Sequence, residues 1–193
     1  MQKMKKLSFI LVHVLMFSWM AFIFYMSAQP GEVSSDISGS VSHVFMKIWN
    51  VVFFQGWDEA QVLQMAELWD YPIRKLAHMT EFGILAMLVY FVLRQYSEFL
   101  RELESKQSGI CESISKFIVR IRTWFPMHRR FILAWVVTVI YAATDEIHQL
   151  FVPQRSGNGF DVCVDATGAF LALLVTWGVV RMIQNYESKK ACK

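Results

Sequence analysis

The sequence predicts an all-α integral membrane bundle with four transmembrane helices and short amphipathic surface helices. Three observations lead there. The chain of 193 residues is 55% hydrophobic and only 18% charged, with a mean hydropathy of +0.35, whereas a soluble domain of this size carries more charge. Four apolar runs are each long enough to cross a hydrocarbon core about 30 Å thick. The basic residues collect at alternate ends of those runs. The length suits one unit, residues 1–193.

The first span, TM1, covers about residues 7–28. Leu7 to Met26 is broken only by His13 and two serines, and Lys3, Lys5 and Lys6 precede it. A signal peptide has a similar layout but an apolar core of only about 7–15 residues, so TM1 is expected to be retained. Ser27-Ala28-Gln29-Pro30-Gly31 reads as a turn. Segment 31–72 holds six acids and one base. Val44, Phe45, Ile48, Val51, Val52 and Phe54 recur there at helical spacing, and Asp58 suits the cap of a second short helix reaching Trp69. With Trp49, Trp57, Trp69 and Tyr71 these helices fit an outer membrane surface.

TM2 covers about 73–93. The 94–130 loop carries eight bases and four acids, and Ile110, Ile114, Phe117, Ile118, Ile121, Trp124 and Phe125 give it one apolar face. That suits a basic amphipathic helix on an anionic inner leaflet or a solvated connector docked by one side. It does not suit nucleic acid. TM3 covers about 131–152 and TM4 about 160–182. The N-terminus, the 94–130 loop and the C-terminal end hold 15 of the 19 Lys and Arg. Excess Lys and Arg mark the cytoplasmic side, which puts both termini inside and the 145–168 region outside. Cys111, Cys163 and Cys192 are an odd count without ligand spacing, so neither a disulfide framework nor a zinc site is expected.

The chemistry-bearing residues lie near the outer ends of three spans. In TM2, Arg74, His78 and Glu81 share a face at i, i+4, i+7, with Lys75 beside them. In TM3, Asp145, His148 and Gln149 share a face, with Glu146 about 100° away. In TM4, Asp161, Asp165 and Gly168 repeat the first spacing, and Arg155 stands in the loop before them. Counting at 1.5 Å per residue from the inner boundaries puts Glu81, Asp145 and Asp165 at roughly 20, 22 and 24 Å. The expectation is one polar cluster between TM2, TM3 and TM4, open to the outside. Gly168 with Ala172 reads as a small-residue helix contact.

Arg74-Lys75-x-x-His78-x-x-Glu81-Phe82, Asp145-Glu146-x-His148-Gln149-x-Phe151 and Arg155-x-Gly157-x-x-x-Asp161-x-x-x-Asp165-x-x-Gly168 resemble the VanZ-like family of bacterial membrane proteins. Ser27-Ala28-Gln29-Pro30-Gly31 resembles the turn after that family's first helix. The resemblance covers most of residues 20–180. It implies a small multi-span plasma-membrane protein, some relatives of which are linked to teicoplanin resistance. It implies no reaction.

Three readings of the cluster stand side by side. His78-x-x-Glu81 and Asp145-x-x-His148 have the spacing of carboxylate–imidazole metal ligands in helical bundles, so a divalent metal is one reading. Nearby Arg74, Lys75 and Arg155 neutralise acids without metal. In the second reading Glu81, Asp145, Asp165, His78 and His148 handle protons. Arg74, Lys75 and Arg155 then bind an anion such as a phosphate, with Asp161, Glu146 and Gln149 beside it. Membrane lipids are the surroundings, and a lipid-linked cell-wall precursor or glycopeptide-related compound is the ligand class. In the third reading the charges pair across helices, Arg74 with Asp161 for example, and only hold the bundle. Function then lies in envelope binding or scaffolding without catalysis.

Overall fold

The computed structural model describes residues 2–106 and 127–191. Those residues form helices α1 (Gln2–Ser27), α2 (Gly31–Val52), α3 (Glu59–Lys106), α4 (Met127–Gln149) and α5 (Gly159–Ala191), and no strand occurs among them. The stretches Leu7–Ser27, Glu59–Leu100, Met127–Gln149 and Gly159–Lys190 are long and apolar enough to cross a membrane. They correspond to TM1 through TM4. The apolar helix expected at 110–125 lies outside the described residues.

Several boundaries differ from the sequence expectation. α3 runs on to Lys106 and α4 begins at Met127, so both ends of the expected 94–130 loop are helical. The second surface helix and TM2 are one 48-residue helix, α3, with Pro72 inside it. At 1.5 Å per residue α3 is about 72 Å long, more than twice the hydrocarbon thickness of about 30 Å, so it projects beyond the bilayer. Proline removes one hydrogen bond, to the carbonyl four residues earlier. Here that residue is Leu68, which is 70% exposed, and a carbonyl on an open face is readily solvated. TM4 also runs further, to Ala191. The start of α3 falls where expected: Gln61 N–H donates to Asp58 Oδ1 (2.8 Å) and Asp58 N–H to Gln61 Oε1 (3.0 Å). Each side chain satisfies a backbone donor of the other, as in a capping box.

α2 packs antiparallel along the projecting part of α3. Met46 meets Val62, Ala66 and Ile73, and the hydroxyls of Ser38 and Ser42 both donate to Asp70 Oδ1 (2.6 and 2.8 Å).

The main core lies among the four spans, with Ile23 of α1, Phe82, Leu85 and Tyr90 of α3, Ala134 and Ala142 of α4, and Ala169 and Leu173 of α5. α3 packs most extensively on α5. A Cβ on Gly168 would lie 2.6 Å from Met79 Cα, and one on Gly83 would lie 3.1 Å from Ala172 Cβ. Small residues thus set how closely α3 and α5 approach, as expected of Gly168 and Ala172. Trp19 Nε1 donates to the Glu81 carbonyl (2.9 Å), and Tyr141 Oη to the Met20 carbonyl (2.7 Å). These bonds fasten α1 to the bundle. Gln95 Nε2 reaches Ser8 Oγ (3.1 Å) and Arg130 Nη1 reaches Ser97 Oγ (2.8 Å). The basic ends of α1, α3 and α4 therefore gather at one side, opposite the α4–α5 loop.

Candidate functional site

The α4–α5 loop folds over the end of α1. Gly31 N–H donates to the Pro153 carbonyl (3.1 Å), and Glu32 and Gln154 are joined by two further bonds, of 2.9 and 3.3 Å. Gln154 has a φ of 59°. A side chain at residue 31 would strike the Gln154 carbonyl, so the crossing requires glycine. Arg155 donates from Nε to the Gln29 carbonyl (3.2 Å) and from Nη2 to the Met26 carbonyl (3.1 Å). It caps carbonyls at the C-terminal end of α1 and keeps further donors free. At the far end of the loop Glu146 Oε2 accepts from Asn158 N–H (2.8 Å).

Under this loop is a cavity of about 240 Å³ lined by Arg74, Lys75, His78 and Tyr71 of α3. Gly31, Ser34 and Ser35 line it from the first turns of α2, Gln149 from α4, and Arg155 and Asp161 from the loop and α5. The start of α2 brings partial positive charge to the space. Asp161 is the cavity's one carboxylate, and it pairs with Lys75 at 2.5 Å. Lys75 Nζ also lies 5.1 Å from the centre of the Tyr71 ring. Among the described residues neither Arg74 nor Arg155 pairs with a carboxylate within 4 Å. Burial first, and then the Arg74 charge beside it, lower the Arg155 pKa from its ordinary value. Two guanidiniums thus repel each other across a polar space.

One turn deeper lie the acids. Asp165 is 2% exposed and Asp145 5%. Asp145 Oδ2 accepts from Ser27 Oγ (2.7 Å) and Gln149 Nε2 (2.9 Å), while its Oδ1 and Asp165 Oδ1 are buried without a hydrogen bond. Glu81 Oε2 lies 3.6 Å from His78 Nδ1. Asp145 of α4 and Asp165 of α5 are thus buried one turn below Gln149 and Asp161, and Glu81 lies one turn below His78 on α3.

Two expected site residues are engaged outside the cavity lining. The His148 ring stacks on Phe24 of α1 at 4.4 Å, because α1 packs against that side of α4. Glu146 is buried and used by the loop. The cross-helix ion pair is Lys75 with Asp161 rather than Arg74 with Asp161. Among the described residues no three His, Cys, Asp or Glu side chains converge to hold a metal ion. Ser27, Ser34, Ser35 and Tyr71 were not singled out as site residues. The signal for Ser27 was its place directly after an apolar span, in the motif Ser27-Ala28-Gln29-Pro30-Gly31.

These features define a four-span helical membrane protein with a polar cleft at one end of the bundle. A family model described as VanZ/LLP1 matches residues 12–181, and the chain belongs to that family. No curated protein and no solved structure matches it.

Proposed function

We propose that the cleft binds a phosphate-class anion carried by a lipid-linked or other envelope component. One observation carries the reading. Arg74 and Arg155 converge on a cavity whose single carboxylate, Asp161, is already engaged by Lys75. Guanidinium binds phosphate oxygens bidentately. The N-terminal turns of α2 add N–H dipoles and the hydroxyls of Ser34 and Ser35. In this reading the basic ends lie in the cytoplasm and the cleft faces the envelope of a bacterial plasma membrane. An occupied or shielded precursor would then lower susceptibility to glycopeptides such as teicoplanin. Glu81, Asp145 and Asp165 supply proton-handling groups beneath the ligand, so processing is open to the same site.

The test is binding by purified protein in lipid nanodiscs, with inorganic phosphate in one arm and a polyprenyl phosphate in the other. Arg74→Gln is expected to weaken binding by about tenfold or more, the size of one charge-assisted hydrogen bond. Binding of the lipid but not of free phosphate assigns the ligand to the membrane. Equal binding by wild type and Arg74→Gln removes the reading. Turnover of a lipid pyrophosphate would separate an enzyme from a binding protein. The second reading, a scaffold whose charges only hold the bundle, is favoured by the Lys75–Asp161 pair that bridges α3 and α5. Under it Arg74→Gln leaves both binding and any glycopeptide phenotype unchanged.

A further inference from the structure

His78 stands between the cavity and the buried acids. It lines the cavity, and its Nδ1 lies 3.6 Å from Glu81 Oε2, while Glu81 does not line that space. The charges beside it are Lys75 and Arg74 of its own helix, Arg155 of the α4–α5 loop and Asp161 of α5, while α2 and α4 line the same cavity with the uncharged Gly31, Ser34, Ser35 and Gln149. Tyr71, Arg74, Lys75, Arg155 and Asp161 are the other titratable groups in the lining. Of all these side chains only imidazole ordinarily changes charge between pH 5 and 8.

We propose that anion binding in this cleft is coupled to the uptake of one proton by His78. The proposal rests on the cleft being an anion site. An anion held by Arg74 and Arg155 adds negative charge to the cavity side of the imidazole, whose Nδ1 already faces Glu81. Imidazolium has a donor on both ring nitrogens, so one can serve the ligand and the other Glu81. Without the anion, His78 faces Arg74, Lys75 and Arg155 on the cavity side, with Asp161 already paired to Lys75 and Glu81 as its one further carboxylate neighbour among the described residues. The ligand is therefore taken up as an anion together with one proton, which offsets one of its charges.

Radiolabelled sulfate is the probe, because it carries no titrating proton near neutrality. Its Kd is measured on the full chain in nanodiscs from pH 5.5 to 8.5. For a one-proton coupling the wild-type Kd rises about tenfold per pH unit on the alkaline side. His78→Gln is expected to bind with a pH-independent Kd. A flat wild-type profile overturns the proposal without reference to any variant. So does a slope that survives in His78→Gln and vanishes in Glu81→Gln or Asp165→Asn, since the proton then belongs to a carboxylate. If phosphate binds and sulfate does not at any pH, the ligand brings its own proton and the coupling to His78 is wrong. If neither binds, the anion reading itself fails and the coupling fails with it.

Discussion

Ser27 is one hydroxyl at the end of an apolar helix, and it answers for a buried charge. Its Oγ donates to Asp145 Oδ2 at 2.7 Å, and the other oxygen of that carboxylate has no hydrogen bond. Removing the hydroxyl leaves Gln149 as the one remaining side-chain donor to Asp145 among the described residues. Stranding part of a buried polar group costs about 1–3 kcal/mol, whereas hydrogen bonds between membrane helices average nearer 0.6 kcal/mol. The 5% exposure of Asp145 favours the larger cost. Ser27→Ala is expected to destabilise the protein by about 1–2 kcal/mol, read by unfolding in mixed micelles. A change within a few tenths would mean that Asp145 is neutral or served by water. At Arg155 charge alone is not enough, because Nε and Nη2 reach two different carbonyls. Lysine has one nitrogen and no fork. Arg155→Lys is expected to loosen the loop from α1, seen as faster amide exchange at 154–157, although the charge is kept.

The crossing of α3 and α5 is set by glycine rather than by charge. At Gly168 a Cβ would meet the backbone of Met79 (Cα at 2.6 Å), which cannot rotate away, while at Gly83 it would come no closer than 3.1 Å to the Ala172 Cβ and 3.3 Å to the Gly168 carbonyl oxygen. Gly168→Ala is expected to cost well over 1 kcal/mol and Gly83→Ala less, compared by thermal unfolding of the two variants. The reverse order would show that the helices slide rather than clash. This contact was legible because small residues four apart form a pattern. The heights expected for Glu81, Asp145 and Asp165 come from similar reasoning, since a helix converts residue count into height. What was not legible depended on neighbours. Spacing put His148 on the face of Asp145, but three residues of helix still leave about 60° between side chains, and α1 fills that gap with Phe24. The break expected between Trp69 and residue 73 does not occur, and Pro72, a residue that usually ends helices, stands inside α3. In α3 the carbonyl it leaves free belongs to an exposed turn. The bonds of Arg155 to main-chain carbonyls leave no trace in residue identity at all.

At the scale of the molecule, the question is which side of the membrane the cleft faces. The basic ends of α1, α3 and α4 are tied together through Ser8, Gln95, Ser97 and Arg130, and the loop holding Arg155 lies at the opposite end of the bundle. Any orientation that places the termini inside therefore places the cleft outside. The count of 15 of 19 Lys and Arg at the termini and the 94–130 loop favours a cytoplasmic position for those ends. The test begins from a variant without Cys111, Cys163 and Cys192, since Cys163 is exposed and would react. Single cysteines are then placed at Ser156, beside the cleft, and at Ser188, near the end of α5. In intact cells a membrane-impermeant maleimide is expected to label the first and spare the second, and lysis should expose both. Labelling of Ser188→Cys alone would invert the protein. Its cationic cleft would then open to the cytoplasm, where it would meet soluble phosphates, and an envelope ligand would be excluded even if every binding measurement succeeded.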